Sequence, residues 1–267
     1  MLPTKPPTAQ ISPRKDSATL WFILSLLGFL AVWEILPRLG LISSRLVPPP
    51  TVVLARLLGD FASGQLLWHL RSSAAEFAIG YLAAALVGVP LGLLLGAVPW
   101  LDAAISPYII SLYAMPSQAW FPLLIIWFGI GATSRIILIG LFVLFTVVLS
   151  TRAGVRSVDP SLRKVGYVFG ATPLETLVKI TLPSAIPYVV VGLRLAVGRG
   201  VIGVFLAELV GTFQGIGFYV FRAGTDFQLD RVFAGLIVLV GLSLLVTEAV
   251  RMLEKRFEHW RQRASYS

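Results

Sequence analysis

The sequence has no cysteine and few charged residues. Without cysteine, the chain has no disulfide, no thiolate nucleophile and no cysteine-ligated metal. Asp, Glu, Lys and Arg together make up 13% of its 267 residues, against about 25% in ordinary soluble domains. A soluble fold of this length with so few charges would expose large apolar patches. The scarcity of charge therefore argues against a soluble globular domain.

Sequence patterns of catalysis and nucleotide binding are also missing. No Gly-x4-Gly-Lys-Ser/Thr phosphate loop occurs in the chain, so ATP would have to bind to another protein. The two histidines, His69 and His259, have no metal-ligand partner at a suitable spacing. The apolar runs lack the Asp-rich, His-Glu or Ser-His groups that a membrane-embedded enzyme needs. We expect no catalytic residue, no metal site and no cofactor bound by this chain.

Hydrophobic residues dominate what is present. They make up 57% of the chain, and the mean hydropathy is +0.85, which excludes disorder. The composition predicts an all-α polytopic membrane protein with six transmembrane helices, because runs of about 20 apolar residues cross a bilayer. The spans lie at about residues 19–37, 73–98, 105–128, 135–151, 187–210 and 232–250. The third is interrupted by Pro107, Pro116 and Pro122, and 52–70 is expected to form an interfacial helix.

The positive charges predict the orientation of these spans. We divide the chain into a tail at 1–18, a transmembrane domain at 19–253 with a long loop at 152–186, and a tail at 254–267. If the tails, with Arg251 counted beside the second, and this loop share one side, 13 of the 22 Lys and Arg residues lie there and 7 on the other. Basic residues are enriched on the cytoplasmic side, so both termini and the loop are expected in the cytoplasm. The net charge of +9 is then a topology signal, and no nucleic-acid partner is expected.

The cytoplasmic loop contains a short amphipathic segment. Thr172 can cap a helix with Pro173 at its first position and Glu175 at its third, which is a capping-box arrangement. Pro183 and Pro187 are expected to end it. Four residues then share one face at helical spacing: Leu174, Leu177, Val178 and Thr181. Such a helix can fill a groove on another protein or rest on the bilayer surface, and these features alone leave both possibilities open.

The spacing Gly170-x9-Ile180-x-Leu182-Pro183 resembles the loop of binding-protein-dependent ABC importer permeases that docks on the ATPase. Where that family usually has Glu-Ala-Ala, this chain has Lys164-Val165-Gly166. Further segments resemble the nitrate, sulfonate, taurine and bicarbonate subgroup over about residues 65–260: Pro116 to Phe128, Arg156 to Pro160, Pro183 to Pro187, Gly192 to Arg194, Ala207 to Leu209 and Leu253 to Arg256.

The resemblance implies a type I importer permease in the bacterial inner membrane, which carries a small, anionic solute. It implies a homodimer of this chain surrounded by membrane lipid, ABC ATPase subunits that bind ATP and Mg, and a periplasmic or lipid-anchored solute-binding protein. Sulfonate, taurine, nitrate, bicarbonate and pyrimidine-type precursors all remain open as solutes. The residues that it assigns to ATPase coupling are Gly170, Ala171, Thr172, Pro173, Leu174, Leu177, Leu182 and Pro183.

Four polar residues in or near the spans are candidates for the translocation path. Arg199 is nearest to mid-membrane and is the candidate for an anion-facing group, since intramembrane charges usually face protein or water. Glu208 is expected to be a gate or a packing contact, and Ser117 and Gln118 follow the break at Pro116. The alternative function, a stand-alone secondary transporter or channel, would normally show inverted repeats and paired broken helices.

Small residues recur at four-residue intervals in the second span, from Gly80 through Ala84, Gly88 and Gly92 to Gly96. A similar stripe in the fifth span runs from Gly192 to Gly211. Because small residues let helix backbones approach closely in lipid, both stripes are predicted to be packing faces.

Overall fold

The computed structural model describes residues 15–116, 119–209 and 212–257. Helices and the connections between them make up these residues, and no strand occurs among them. The helices are α1 (Lys15–Arg38), α2 (Pro50–Ala62), α3 (Gln65–Ala97), α4 (Pro99–Ala114), α5 (Trp120–Phe128), α6 (Ala132–Arg156), α7 (Pro160–Val168), α8 (Pro173–Thr176), α9 (Leu182–Glu208), α10 (Ile216–Thr225) and α11 (Leu229–Phe257). A π-helical turn, Leu177–Thr181, joins α8 to α9. The predicted all-α class is confirmed.

Five stretches of the described residues are long and apolar enough to cross a membrane, whereas the sequence predicts six spans. They are Thr19–Arg38, Gln65–Ala97, Ala132–Arg156, Pro173–Glu208 and Leu229–Met252. In place of the predicted third span the structure has α4 and α5, of 16 and 9 residues. The break lies at Met115, whose backbone is extended (φ −69°, ψ 138°), as expected before a proline. Pro107, in contrast, lies inside α4.

Two predicted helix boundaries are wrong. The expected interfacial helix at 52–70 is divided between α2 and the first turns of α3, because Gly64 adopts φ +77° between them. Pro183 and Pro187 do not end a helix: they lie in the first turns of α9, which continues to Glu208. The π-helical turn before Pro183 provides the local adjustment that lets a helix pass a proline.

The core forms where α6 packs against both α3 and α9. Val143 and Val147 of α6 and Val197 of α9 are completely buried there. The predicted glycine stripes make this approach possible. A Cβ atom at Gly92 would lie 2.6 Å from Cβ of Thr151, and one at Gly200 would lie 2.8 Å from Cε2 of Phe77. These distances are too short for a real side chain, so the stripes are packing faces, as predicted.

Candidate functional site

Helix α7 opens the segment predicted to be cytoplasmic and ends in a glycine turn. Asp159 caps its first turn by accepting a hydrogen bond of 2.8 Å from the Ser161 N–H, and this bond lowers the pKa of the Asp159 carboxyl. At the other end Gly170 adopts φ +77°. The Ala171 N–H donates to the Gly166 carbonyl at 2.9 Å and the Gly170 N–H to the Tyr167 carbonyl at 3.0 Å. This pair of bonds is a Schellman motif, in which glycine avoids the strain of a left-handed residue.

The predicted capping box follows at once and is confirmed. The Thr172 Oγ1 accepts the Glu175 N–H at 3.2 Å, and the Glu175 carboxylate accepts the Thr172 N–H at 3.0 Å. Lys179 donates to the other Glu175 oxygen at 2.8 Å. Helix α8 therefore has a rigid start, although α8 itself is only four residues long. Through the π-helical turn it is continuous with α9 as the 36-residue stretch Pro173–Glu208.

The predicted apolar face of this segment is divided between solvent and the protein interior. Leu174 and Val178 are 69% and 52% exposed, whereas Thr181 is 3% exposed and Leu177 is half-buried. The last residue of α7 and the residue after it add exposed apolar side chains that periodicity did not indicate, Val168 at 83% and Phe169 at 85%. We call these four exposed residues, Val168, Phe169, Leu174 and Val178, the apolar tip.

At the departure Lys164-Val165-Gly166, the glycine lies next to the π-helical turn. A Cβ atom at Gly166 would lie 2.7 Å from Cδ1 of Ile180 in the π-helical turn. Gly166 thus lets α7 lie closely against the turn that leads into α9. Among the other predicted coupling residues, Pro173 is exposed and Ala171 half-buried next to Gly170, while Leu182 and Pro183 start α9.

The predicted path residues do not lie together. Arg199 is exposed on α9, and its guanidinium donates to the Tyr113 hydroxyl at 3.3 Å. Glu208, nine residues further along α9, is 1% exposed. Ser117 and Gln118 lie outside the described residues.

Glu208 belongs to a buried cluster at the C-terminal end of α9. Its carboxylate accepts hydrogen bonds from the Ser73 hydroxyl at 2.7 Å and from the Gly217 N–H at 2.7 Å. The same Ser73 oxygen accepts the Ile216 N–H at 2.7 Å, and Nδ1 of His69 accepts the Gly215 N–H at 3.2 Å. The cluster fixes the start of α10 to α3 and α9. Glu208 is thus enclosed by protein in this structure, and both predicted roles, a gate and a packing contact, stay predictions.

Sequence reasoning missed Ser73 as a partner of Glu208 and His69 as a partner of the Gly215 N–H. The signal in the sequence is the pair Gly215-x-Gly217. A Cβ atom at Gly215 would overlap the Glu208 carboxylate, and one at Gly217 would lie 2.8 Å from Cβ of Glu208. Only glycine allows the backbone at both positions to lie this close to the Glu208 side chain.

Two further ion-pair clusters connect the helices. Glu76 of α3 and Arg135 of α6 form a bidentate pair, with N–O distances of 2.5 and 2.9 Å and side chains only 8% and 5% exposed. At the opposite end of α6, Asp102 of α4 accepts hydrogen bonds from Arg152, Arg156 and Ser106. The bond from Arg152 is the main reason that the pKa of Asp102 falls to about 2. No group of three or more His, Asp or Glu positioned to hold a metal ion occurs within the described residues.

Comparison with known proteins gives consistent similarities. Residues 88–259 match the family described as the binding-protein-dependent transport system inner membrane component. The chain is 33% identical over 232 residues to the putative aliphatic sulfonates transport permease protein SsuC of Bacillus subtilis. The aligned residues cover 87% of this chain and 84% of the relative. It is 36% identical to the taurine transport system permease protein TauC of Escherichia coli, covering 86% of each chain.

More distant similarities extend this set. The bicarbonate transport system permease protein CmpB of a Synechocystis strain is 28% identical, over 87% of this chain and 86% of that protein. Among solved structures, an inward-facing MetNI methionine ABC transporter matches with a TM-score of 0.64 and 18% identity. That match covers 72% of this chain and 95% of the other. At this identity the structural match shows a shared fold.

Proposed function

Because the chain belongs to the family of binding-protein-dependent transport system inner membrane components, we propose that two copies of it form the membrane path of an ATP-driven importer. The chain is a multi-pass inner-membrane permease component. In the proposal it binds neither ATP nor Mg²⁺, and both act on separate ATPase subunits. A solute-binding protein delivers the solute from outside, and both termini lie in the cytoplasm.

The proposed contact with the ATPase is the apolar tip together with the turn at Gly170. Large apolar side chains rarely stay exposed without a partner when they are grouped, and Phe169 and Val168 are more than four-fifths exposed. The Schellman turn and the capping box hold the flanking backbone in one conformation. A preformed surface of this kind binds a partner groove without a large cost in conformational entropy.

The observation that carries the proposal is the continuous helical stretch from Pro173 to Glu208. Its first turn is exposed beside the apolar tip, and its last residue is fixed in the buried cluster of Ser73 and Gly217. A displacement of the tip by the ATPase would therefore move α9 as a lever. Closure of the ATPases on ATP would bring two such tips together and change which side of the membrane the path opens to.

The proposed solute is a small organic sulfonate or a similar oxyanion. This rests on the relatives named for aliphatic sulfonates, taurine and bicarbonate, of which the taurine and one sulfonate relative are at least 33% identical. Nitrate remains within the same class of small anions.

The proposal is tested by a charge placed in the turn. We expect Gly170→Asp to leave the protein in the membrane but to abolish copurification of the ATPase and ATP-dependent uptake, because the substitution strains the Schellman turn and adds a charge beside the apolar tip. Ala171→Asp should act in the same direction without requiring φ +77°.

Gly40→Asp is the matched control. Gly40 has φ +73° and, like Gly170, open space where a Cβ atom would be, but it lies in the connection between α1 and α2. It carries the same strain and the same charge away from the tip. Normal copurification and uptake in Gly170→Asp would refute the proposed coupling.

A further inference from the structure

Arg199 lies far from both ends of the membrane-spanning part of α9. Nine residues separate it from Glu208, or about 13 Å at ~1.5 Å per residue, and twelve separate it from Pro187, or about 18 Å. An arginine side chain is shorter than either distance, so it cannot carry its charge to the membrane surface by extending along the helix. Within the span predicted at 187–210, the guanidinium is therefore placed near mid-depth.

The surroundings of Arg199 in the protomer are open. Its side chain is exposed, as are those of Leu195 and Ile202 on the same face of α9. A Cβ atom at the adjacent Gly198 would meet no atom within 4 Å. In the described part of the chain, no carboxylate lies within 4.0 Å of the guanidinium, so no ion pair neutralises it there.

One side chain orients the guanidinium. Tyr113, in the last turn of α4 before the Met115 break, accepts a hydrogen bond of 3.3 Å from Nη2 of Arg199, and its ring centroid lies 5.7 Å from the guanidinium carbon. Because the Tyr113 oxygen accepts this bond, its own O–H is directed elsewhere. A guanidinium has five N–H donors, so the bond to Tyr113 leaves most of them for another acceptor.

Hydrocarbon cannot supply that acceptor. An arginine at the centre of a bilayer costs at least about 2.5–3.5 kcal/mol, which water or a bound anion would offset. We propose that Arg199 and Tyr113 form an anion-binding site in the translocation path, where the guanidinium and the phenol donate to the oxygens of a sulfonate or carboxylate group. The proposal rests on the proposed importer function, and each copy of the chain would contribute one such site.

The absence of cysteine makes the test direct. In the assembled permease–ATPase complex, Arg199→Cys introduces one thiol into each copy of this chain, and its reaction with methanethiosulfonate reagents is followed on this chain. These reagents need water, because the thiolate that attacks them forms only where water is present. We expect the thiol of Arg199→Cys to react at least about tenfold faster than the thiol of Leu86→Cys. Leu86 is the matched control because it is also exposed, at 76%, but is an apolar residue, on α3. Equal, slow reaction at both positions would show that lipid or a second copy covers this face, and would overturn the proposal.

The second readout is uptake of an anion. The wild-type complex, supplied with its binding protein and ATP, is assayed with labelled taurine, ethanesulfonate and bicarbonate to choose the transported probe. Arg199→Cys should lower its uptake about tenfold or more, the loss expected for one charge-assisted hydrogen bond. Aminoethyl methanethiosulfonate, which restores a positive charge, should recover part of the uptake, and the negatively charged sulfonatoethyl reagent should not. Tyr113→Phe should lower uptake less than Arg199→Cys does.

The remaining outcomes separate this proposal from the importer function. If the wild type transports none of the three anions, the anionic substrate class fails and the site fails with it. If the wild type transports an anion and Arg199→Cys does so equally well, only the site is refuted. If uptake is lost in Arg199→Cys and Arg199→Lys alike and neither reagent restores it, while the ATPase still copurifies, Arg199 has a structural role and the proposal is wrong.

Discussion

Removal of one partner of the Glu76–Arg135 pair should destabilise the protein far more than removal of both. Both side chains are more than nine-tenths buried and share a bidentate contact. Arg135→Met leaves the Glu76 carboxylate buried without its counter-ion, which costs about 3–5 kcal/mol. Glu76→Leu leaves the guanidinium in the same position and should cost a similar amount. The double variant replaces the pair with apolar side chains, a change that is often neutral or stabilising by about 1–4 kcal/mol.

Thermal unfolding of the purified permease in lipid nanodiscs measures this cycle. On the scale of soluble domains, about 2–4 °C per kcal/mol, each single variant should lower Tm by roughly 6–20 °C, and the double variant should recover most of that loss. Arg222→Met is the control, because its pair with Asp226 is exposed and such pairs contribute about 0–1 kcal/mol. If the two single losses simply add in the double variant, the two residues do not stabilise each other and the reasoning is refuted.

Three further predictions concern packing, charge and a close approach. Gly92→Leu should lower Tm clearly, since even overpacking by a few methylenes costs about 1–3 kcal/mol. Gly28→Leu should be neutral, because the position of a Cβ atom at Gly28 is open. Equal effects of the two substitutions would contradict the packing role of the stripe. Asp102→Asn should lower Tm at pH 7, and the difference from wild type should shrink as the pH falls from about 4 towards 2. The reason is that the ordinary pKa of 3.8 is lowered to about 2 in the folded protein. A difference that does not change with pH would contradict this. Gly215→Ala should displace the Glu208 carboxylate and lower both Tm and uptake. The double variant of Gly215→Ala with Glu208→Ala tests directly whether this clash is the cause, because the shorter side chain at position 208 removes it.

Local features of the segment from α7 to the start of α9 could be predicted because neighbouring residues determine them. The capping box of Thr172 and Glu175 needs only residues three apart, and the structure has it. The glycine stripe of α3 was likewise predicted, since one helix surface determines which residues share a face. The prediction that Pro183 ends a helix is wrong. The π-helical turn through which the helix continues past Pro183 has no signal in the pattern of prolines, so the sequence did not indicate it.

The buried clusters depend on contacts between distant residues. Glu208 and Ser73 are separated by 135 residues, and His69 and Gly215 by 146. Hydropathy indicates that a carboxylate in a span is costly, but not which hydroxyl or amide satisfies it. The contact of Tyr113 with Arg199 also crosses the chain, over 86 residues, and depends on how α4 ends at Met115. Only the packing of the helices determines such pairs.

The central claim is that the apolar tip is the surface that the ATPase binds. A photo-crosslinking amino acid that replaces Leu174, which is 69% exposed, tests this contact directly. The crosslinks are formed in the assembled importer in a lipid membrane. Leu58, which is 61% exposed on α2 at the other side of the predicted topology, serves as the control position. The account predicts a covalent permease–ATPase product from position 174 and none from position 58. Crosslinks from position 174 to lipid alone would contradict it.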